Sequence, residues 1–499
     1  MPAELPADWL RSAAAHFPER LALQTGGRRW NFAQLDQAAS QMARRLAAAG
    51  VQPGMHIAAL LPNCPEYVFL VHALLRLQAV LVPLNIRLSA AELAWQIEQA
   101  GCQALACVPE TGAQAGAAAP GLPLLDLRAA DGRQGRIPPA AGRQPGRVGA
   151  PIQAIIFTSG TTGQPKGAML SLRNHFYSAT ASAERLGCRA GDTWLATLPL
   201  FHVGGQAILF RSLLYGAAVI LQPGFDPLAV LEAIETGPAQ IVSLVPTMLQ
   251  RLLELPGGER ALAGLRLILL GGAAAPQPLL KRCVQAGLPV SLTYGMTEAA
   301  SQIATAAPGL LRRKPGSAGP PLRFNQLRIL DPDGRPLPPN QTGQIAVRGP
   351  TLMAGYYNQP AASQAALRGG ELLTGDLGYL DPDGDLWVVQ RRADLIVSGG
   401  ENVYPAEVEA VLLSHPGVEN ACVVGLDDEL WGQRVAAAVS PRPGQALQPA
   451  ELQAYCRQHL AGYKTPRQFL VLERLPQTET GKILRRQIVQ LFEQPEPVS

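Results

Sequence analysis

The stretch 155–170, "IIFTSGTTGQPKGAML", contains the densest group of residues suited to chemistry. An apolar run leads into Thr158, Ser159, Thr161 and Thr162, interleaved with Gly160, Gly163 and Gly167, and then Lys166. Glycines let backbone N–H groups approach phosphate oxygens, hydroxyls add donors or a metal ligand, and an ammonium neutralises charge. The order is not that of a P-loop, in which lysine follows the last glycine directly and precedes Ser or Thr. A solvated Gly/Thr turn is the plain alternative.

Further groups of this kind follow. In "YGMTEAASQ" (294–302), Tyr294 offers a flat face for a base and Thr297 a donor to an anionic oxygen. Glu298 suits magnesium, which takes few carboxylates and keeps its water. The same stretch reads equally well as a capped helix start. "LLGGAAAPQPLL" (269–280) is a strand, a small-residue loop and a helix, suited to a planar ring or to tight packing alone. Asp376 in "TGD" suits a ribose diol, whereas Asp381 and Asp383 read as turn residues. Lys482, after Thr480-Gly481, stands at a flexible tip. Of the 42 basic residues only five are lysine, at 166, 281, 314, 464 and 482, so a retained lysine hints that a compact point charge is needed.

These groups need a frame. With 499 residues, 47% hydrophobic and 16% charged, the chain is long enough for a large core and more than one domain. A net charge of +4 without a basic stripe argues against nucleic acid. Seven dispersed cysteines read as reduced thiols. No signal-peptide pattern opens the chain, and the apolar stretch 57–84 is broken by polar residues. A soluble, cytoplasmic protein without a membrane span is expected. Short apolar strands at 154–157, 217–221, 240–246, 265–272 and 289–295 alternate with helical patterns, which predicts a largely parallel α/β sheet with the loops after 157, 270 and 292 at its ligand edge. Residues 109–150 read as a loosely ordered connection, and 318–390 as an antiparallel, barrel-like piece with Asp-Gly turns. A new α+β unit, with Pro405 opening a helix, follows a boundary near Arg391–Ala393 and gives domains 1–391 and 394–499.

The set TSGTTGQPKG, YGMTE, TGD, Arg391, SGGENVYPAEVE and TGKILRR, in this order, resembles the adenylate-forming superfamily over essentially the whole chain. The resemblance implies a large N-terminal domain of two α/β subdomains plus a barrel-like one, with a small mobile α+β C-terminal lid. It implies ATP, Mg²⁺ and coenzyme A. A carboxylic acid is first adenylated with release of pyrophosphate, then passed to a thiol with release of AMP. Residue by residue, 158–167 would hold the β/γ-phosphates. Thr297 would contact the α-phosphate, and Glu298, with Thr161, the magnesium. Gly272, Ala273, Ala274 and Tyr294 would enclose adenine, and Asp376 and Arg391 the ribose. Lys482 would act in adenylation only, Gly399 and Gly400 would line the pantetheine tunnel, and His202 would gate the acyl group. Relatives often carry Asp or Lys where Ala393 stands at the hinge.

Two stretches narrow the acid. Ser301 and Gln302 continue the YGMTE motif, and "LPLFHVGGQAILFRSLLYG" (198–216) places Arg211 in an apolar segment nine residues after His202. Both resemble the branch of the superfamily that activates o-succinylbenzoate for menaquinone biosynthesis. That acid has a second, non-reacting carboxylate, for which a cation is the natural partner. Arg211 pairing with a structural carboxylate is the alternative. Other aryl- or fatty-acyl ligases, an adenylation domain serving a carrier protein and a non-catalytic binding protein are the competing functions. A homo-oligomer stays open.

Overall fold

A computed structural model describes residues 8–129, 151–158, 165–390, 395–476 and 483–493. It divides into two compact units. One runs to 390 apart from 87–96 and 158–166; the other gathers the described parts of those stretches with the described residues after 390.

The first unit is built on three sheets. The largest has eight strands, in the order Ser301–Thr305, Val290–Met296, Leu267–Leu270, Ile241–Leu244, Thr193–Ala196, Ala218–Leu221, Leu21–Thr25 and Arg28–Asn31. Its inner pairs are parallel and the two outermost pairs antiparallel. Successive side chains on a strand face opposite ways. Trp194, Ala196, Leu267 and Leu269 therefore pack in one cluster with Leu172, Ala179, Ile208 and Phe210 of the helices Leu172–Leu186 and Val203–Tyr215. Leu195, Val242, Leu244, Ile268 and Leu270 pack in another with Val230, Leu252 and Leu280. Helices on both faces explain why these strands are continuous apolar runs.

The strand Ile152–Thr158 does not join that sheet. It lies in a six-stranded one with Leu124–Asp126, Ala104–Cys107, His56–Leu60, Val80–Pro83 and Lys166–Ser171. The loops expected at one sheet edge thus belong to two sheets, because strand pairing is chosen by tertiary packing that a local pattern does not carry. The connection expected over 109–150 is also corrected at its start. Pro109–Ala118 is a helix with Thr111, Ala115 and Ala118 buried, and the Thr111 hydroxyl donates to Leu60 O at 2.7 Å. Residues 130–150 lie outside the described residues.

The third sheet is antiparallel throughout: Gln326–Leu330, Gly343–Arg348, Glu371–Leu380, Leu367–Arg368 and Leu386–Gln390. In the second unit, five strands, with Gly432–Pro441 central between Ile396–Ser398, Val418–Asp428 and Gln468–Val471, carry the helices Pro405–Ser414, Pro449–His459 and Arg485–Glu493. Val408 and Leu412, on one helical face, are buried.

Candidate adenylation site

The segment 290–305 is a hairpin rather than the start of a long helix. Val290–Met296 runs into a single 3₁₀ turn, Thr297–Ala299, and returns as Ser301–Thr305. The turn is tight: Ala300 and Ser301 have φ of 50° and 101°. Gly295 is required where the strands touch, since a Cβ there would stand 1.7 Å from Ser301 O. The Ser178 hydroxyl donates to Ala300 O at 2.7 Å, which holds the turn from the helix behind.

The turn places one carboxylate, and the strand before it orients a second. Glu298 is 4% exposed, and its Oε1 accepts the Tyr356 hydroxyl at 2.9 Å while its carbonyl accepts Met353 N at 2.9 Å. Asp376, on Glu371–Leu380, is 2% exposed and its Oδ2 accepts the Tyr294 hydroxyl at 2.7 Å. Tyr294, expected to offer its ring to adenine, is buried, and its hydroxyl makes this hydrogen bond between two sheets. Thr297 is half-buried on the turn. Gly272, Ala273 and Ala274 follow Leu267–Leu270 after Gly271. Gly272 (φ +82°) and Ala274 are exposed.

Gln302, expected as a substrate contact, is buried on the returning strand. Its carbonyl accepts the Ser182 hydroxyl, and its amide donates to Thr293 Oγ1 and Thr305 Oγ1, each at 3.0 Å. These bonds tie the two strands of the hairpin to the helix Leu172–Leu186. Ser301 beside it stays half-buried.

His202 precedes the helix Val203–Tyr215 as its N-cap residue and is half-buried. The loop leading to it is held by Asn63, whose Oδ1 accepts Leu200 N at 2.8 Å and whose Nδ2 donates to Leu198 O at 3.0 Å. Neither Asn63 nor Tyr356 was singled out from the sequence. A polar residue after the apolar run "ALLPN" was the signal for the first; "AGYYNQP" held none for the second. Arg211 lies near the far end of the helix, and helical side chains lean back toward the N-terminus. It is 2% exposed, and its guanidinium lies 4.9 Å over the Trp194 ring. Nε and Nη1 are buried without a hydrogen-bond partner, and no carboxylate pairs with it among the described residues. Burial lowers its pKa to about 10.

In the second unit, Gly399 and Gly400 (φ 59° and 85°) form the two-residue turn between Ile396–Ser398 and Glu401–Val403, a geometry that suits glycine at both positions. A Cβ on Gly399 would stand 2.6 Å from the Trp431 ring. The Thr158 hydroxyl donates to Lys166 O at 3.4 Å. Ser159, Gly160, Thr161, Thr162, Gly163, Arg391, Ala393 and Lys482 lie outside the described residues.

A sheet edge bearing a small-residue loop, a buried carboxylate on a tight turn and a second carboxylate held by tyrosine suits a nucleotide and its metal. Comparison with known proteins agrees. The family model for AMP-binding enzyme matches residues 10–357, and that for the AMP-binding enzyme C-terminal domain matches 407–482. The chain belongs to this family. The 2-succinylbenzoate–CoA ligase of Geobacillus kaustophilus (strain HTA426) is 44% identical over 492 residues, covering 97% of this chain and 98% of that enzyme. A double mutant of o-succinylbenzoate CoA synthetase (MenE) from Bacillus subtilis, bound with its product analogue OSB-NCoA, superposes with a TM-score of 0.90 at 40% identity over 97% of this chain and 98% of that one. The same enzyme in complex with ATP and magnesium ion gives 0.71 at 39% identity, covering 96% and 98%.

Proposed function

We propose that the chain is an AMP-forming 2-succinylbenzoate–CoA ligase. The succinyl carboxylate attacks the α-phosphate of ATP, the P–O bond to pyrophosphate breaks, and an acyl-adenylate forms. The CoA thiol then attacks the acyl carbon, and AMP departs with the C–O electron pair. A carboxylate is otherwise a poor electrophile; the adenylate supplies the leaving group. The protein's part is positioning and charge stabilisation.

Asp376, fixed by Tyr294, would take the ribose hydroxyls. The Gly272–Ala274 loop would face the base, and Thr297 would donate to the α-phosphate. Arg391, Thr161 and the rest of the 158–167 loop are assigned ribose, metal and phosphate roles by family resemblance. Glu298 fits a magnesium ion brought in with ATP: it is a single carboxylate already oriented by Tyr356. Magnesium there would neutralise phosphate charge. Gly399 and Gly400 would border the pantetheine, and Lys482 would serve the adenylation step alone, on a C-terminal domain that turns between the two half-reactions.

The observation that supports the choice of acid is Arg211, a buried cation with two guanidinium nitrogens lacking a hydrogen-bond partner and no acidic partner among the described residues. Such a charge is costly unless a ligand completes it. The aryl carboxylate of o-succinylbenzoate would do so. The test is pyrophosphate release and CoA thioester formation with o-succinylbenzoate beside its analogue lacking the aryl carboxylate and a panel of fatty acids. Preference for a fatty acid overturns the assignment.

A further inference from the structure

The turn Asp381-Pro382-Asp383-Gly384-Asp385 joins the strands Glu371–Leu380 and Leu386–Gln390. Asp381 Oδ1 accepts the backbone N–H groups of Asp383 and Asp385, each at 3.0 Å, so the turn is shaped by its own hydrogen bonds. One carboxylate oxygen from each of the three aspartates falls within 4.8 Å of the others. Alternating acidic residues around a glycine turn, presenting converging oxygens, are what a hard divalent cation takes.

The centre of this cage is filled. The Lys314 ammonium donates to Oδ2 of Asp381, Asp383 and Asp385 at 2.7, 2.7 and 2.5 Å. Three ammonium donors meet three acceptors. Lys314 comes from another stretch, just after the helix Leu310–Arg313, and that stretch continues onto the same hairpin through Ala318 N to Leu386 O at 2.8 Å. In a chain with five lysines, this one stands where a compact, three-donor cation meets all three carboxylates.

We infer that Lys314 is the resident cation of a carboxylate cage built like a divalent-ion turn, and that its ammonium keeps the cage closed to metal. The native enzyme takes no calcium or manganese here, although its reaction uses magnesium elsewhere. Removing the ammonium leaves three converging carboxylates and opens a site for an oxygen-seeking divalent ion. The inference does not depend on which acid the enzyme activates.

The test uses full-length, metal-stripped protein without nucleotide. Wild type should melt at the same temperature in calcium as in EDTA. Lys314→Met should melt lower in EDTA, recover in calcium, and bind manganese by electron paramagnetic resonance. Adding Asp383→Asn to that variant should abolish the recovery. If Lys314→Met does not fold in EDTA, folding that requires calcium and is lost with Asp383→Asn supports the same conclusion. A second arm needs only the exposed carboxylate: Asp383→Asn in the wild-type background should lower melting equally with and without calcium. Manganese binding to wild type that Asp383→Asn removes overturns the inference. So does a Lys314→Met protein indifferent to calcium.

Discussion

The Tyr294 hydroxyl donates to Asp376 Oδ2 at 2.7 Å, a bond that ties the last parallel strand of the eight-stranded sheet to the antiparallel sheet. Both residues are buried, so the protein itself orients the carboxylate. A hydrogen bond to a charged group contributes about 1.5–3 kcal/mol. Tyr294→Phe keeps the ring and deletes that bond. KM for ATP should rise by about tenfold or more, with a lower melting temperature. Unchanged KM in a well-folded variant would show that Asp376 does not need this partner.

Tyr356 plays the same part for Glu298. Tyr356→Phe should raise the magnesium concentration needed for half-maximal pyrophosphate release and leave KM for the acid near wild type. An equal change in both would mean that the substitution disturbs the whole site.

The candidate loops stood out in the sequence because their signals are local: small residues, a carboxylate and a lysine within a few positions of one another. What the sequence did not disclose was long-range. Ile152–Thr158 has the same apolar texture as Leu267–Leu270, yet they enter different sheets. The helix Pro109–Ala118 was hidden by Gly112 and Gly116, although Thr111, Ala115 and Ala118 share its buried face. The scarcity of lysine did flag positions where a point charge matters. Two of these proved structural: Lys314 in the aspartate cage, and Lys464 between Glu92 and Glu407 at 2.7 and 2.6 Å. The partners of Gln302, Thr293 and Thr305, are set by strand register and hidden from local reading.

The aspartate cage has a pH signature. Burial raises the Asp381 carboxyl, but the Lys314 ammonium, the Trp387 indole N–H and the backbone N–H groups of Asp385 and Asp383 outweigh it and hold the pKa at about 2, against an ordinary 3.8. A folded-state pKa below the unfolded one gives stability that is present above the ordinary value and is lost as pH falls through the folded value. Acid titration of stability between pH about 4 and 2 should therefore show a steeper loss in wild type than in Lys314→Met. Parallel curves would mean that the ammonium does not set this carboxyl.

Lys482→Ala separates the two half-reactions. If the lysine bridges carboxylate and α-phosphate oxygens only during adenylation, acyl-adenylate formation should fall by orders of magnitude, since one transition-state charge contact is worth about 3–4 kcal/mol. Thioester formation from pre-made acyl-adenylate should stay near wild type. Equal loss in both steps would remove the one-step assignment.

Arg211 offers the sharpest test of the acid. Arg211→Gln keeps a polar side chain and removes the charge. A charge-assisted bond of about 1.5–3 kcal/mol predicts a fall in kcat/KM for o-succinylbenzoate of about ten- to a hundredfold. The analogue lacking the aryl carboxylate should be poor with wild type and lose much less on mutation. Arg211→Lys should rescue only in part, because a point charge cannot reproduce the planar fork over Trp194. The coupling between residue and carboxylate is the quantity to measure, since the guanidinium also packs against the core and its loss lowers stability for any substrate. A twofold design, residue against carboxylate, cancels that shared loss. If Arg211→Gln slows both acids equally, the guanidinium serves the helix Val203–Tyr215 and Trp194 alone, and the aryl carboxylate must be bound elsewhere.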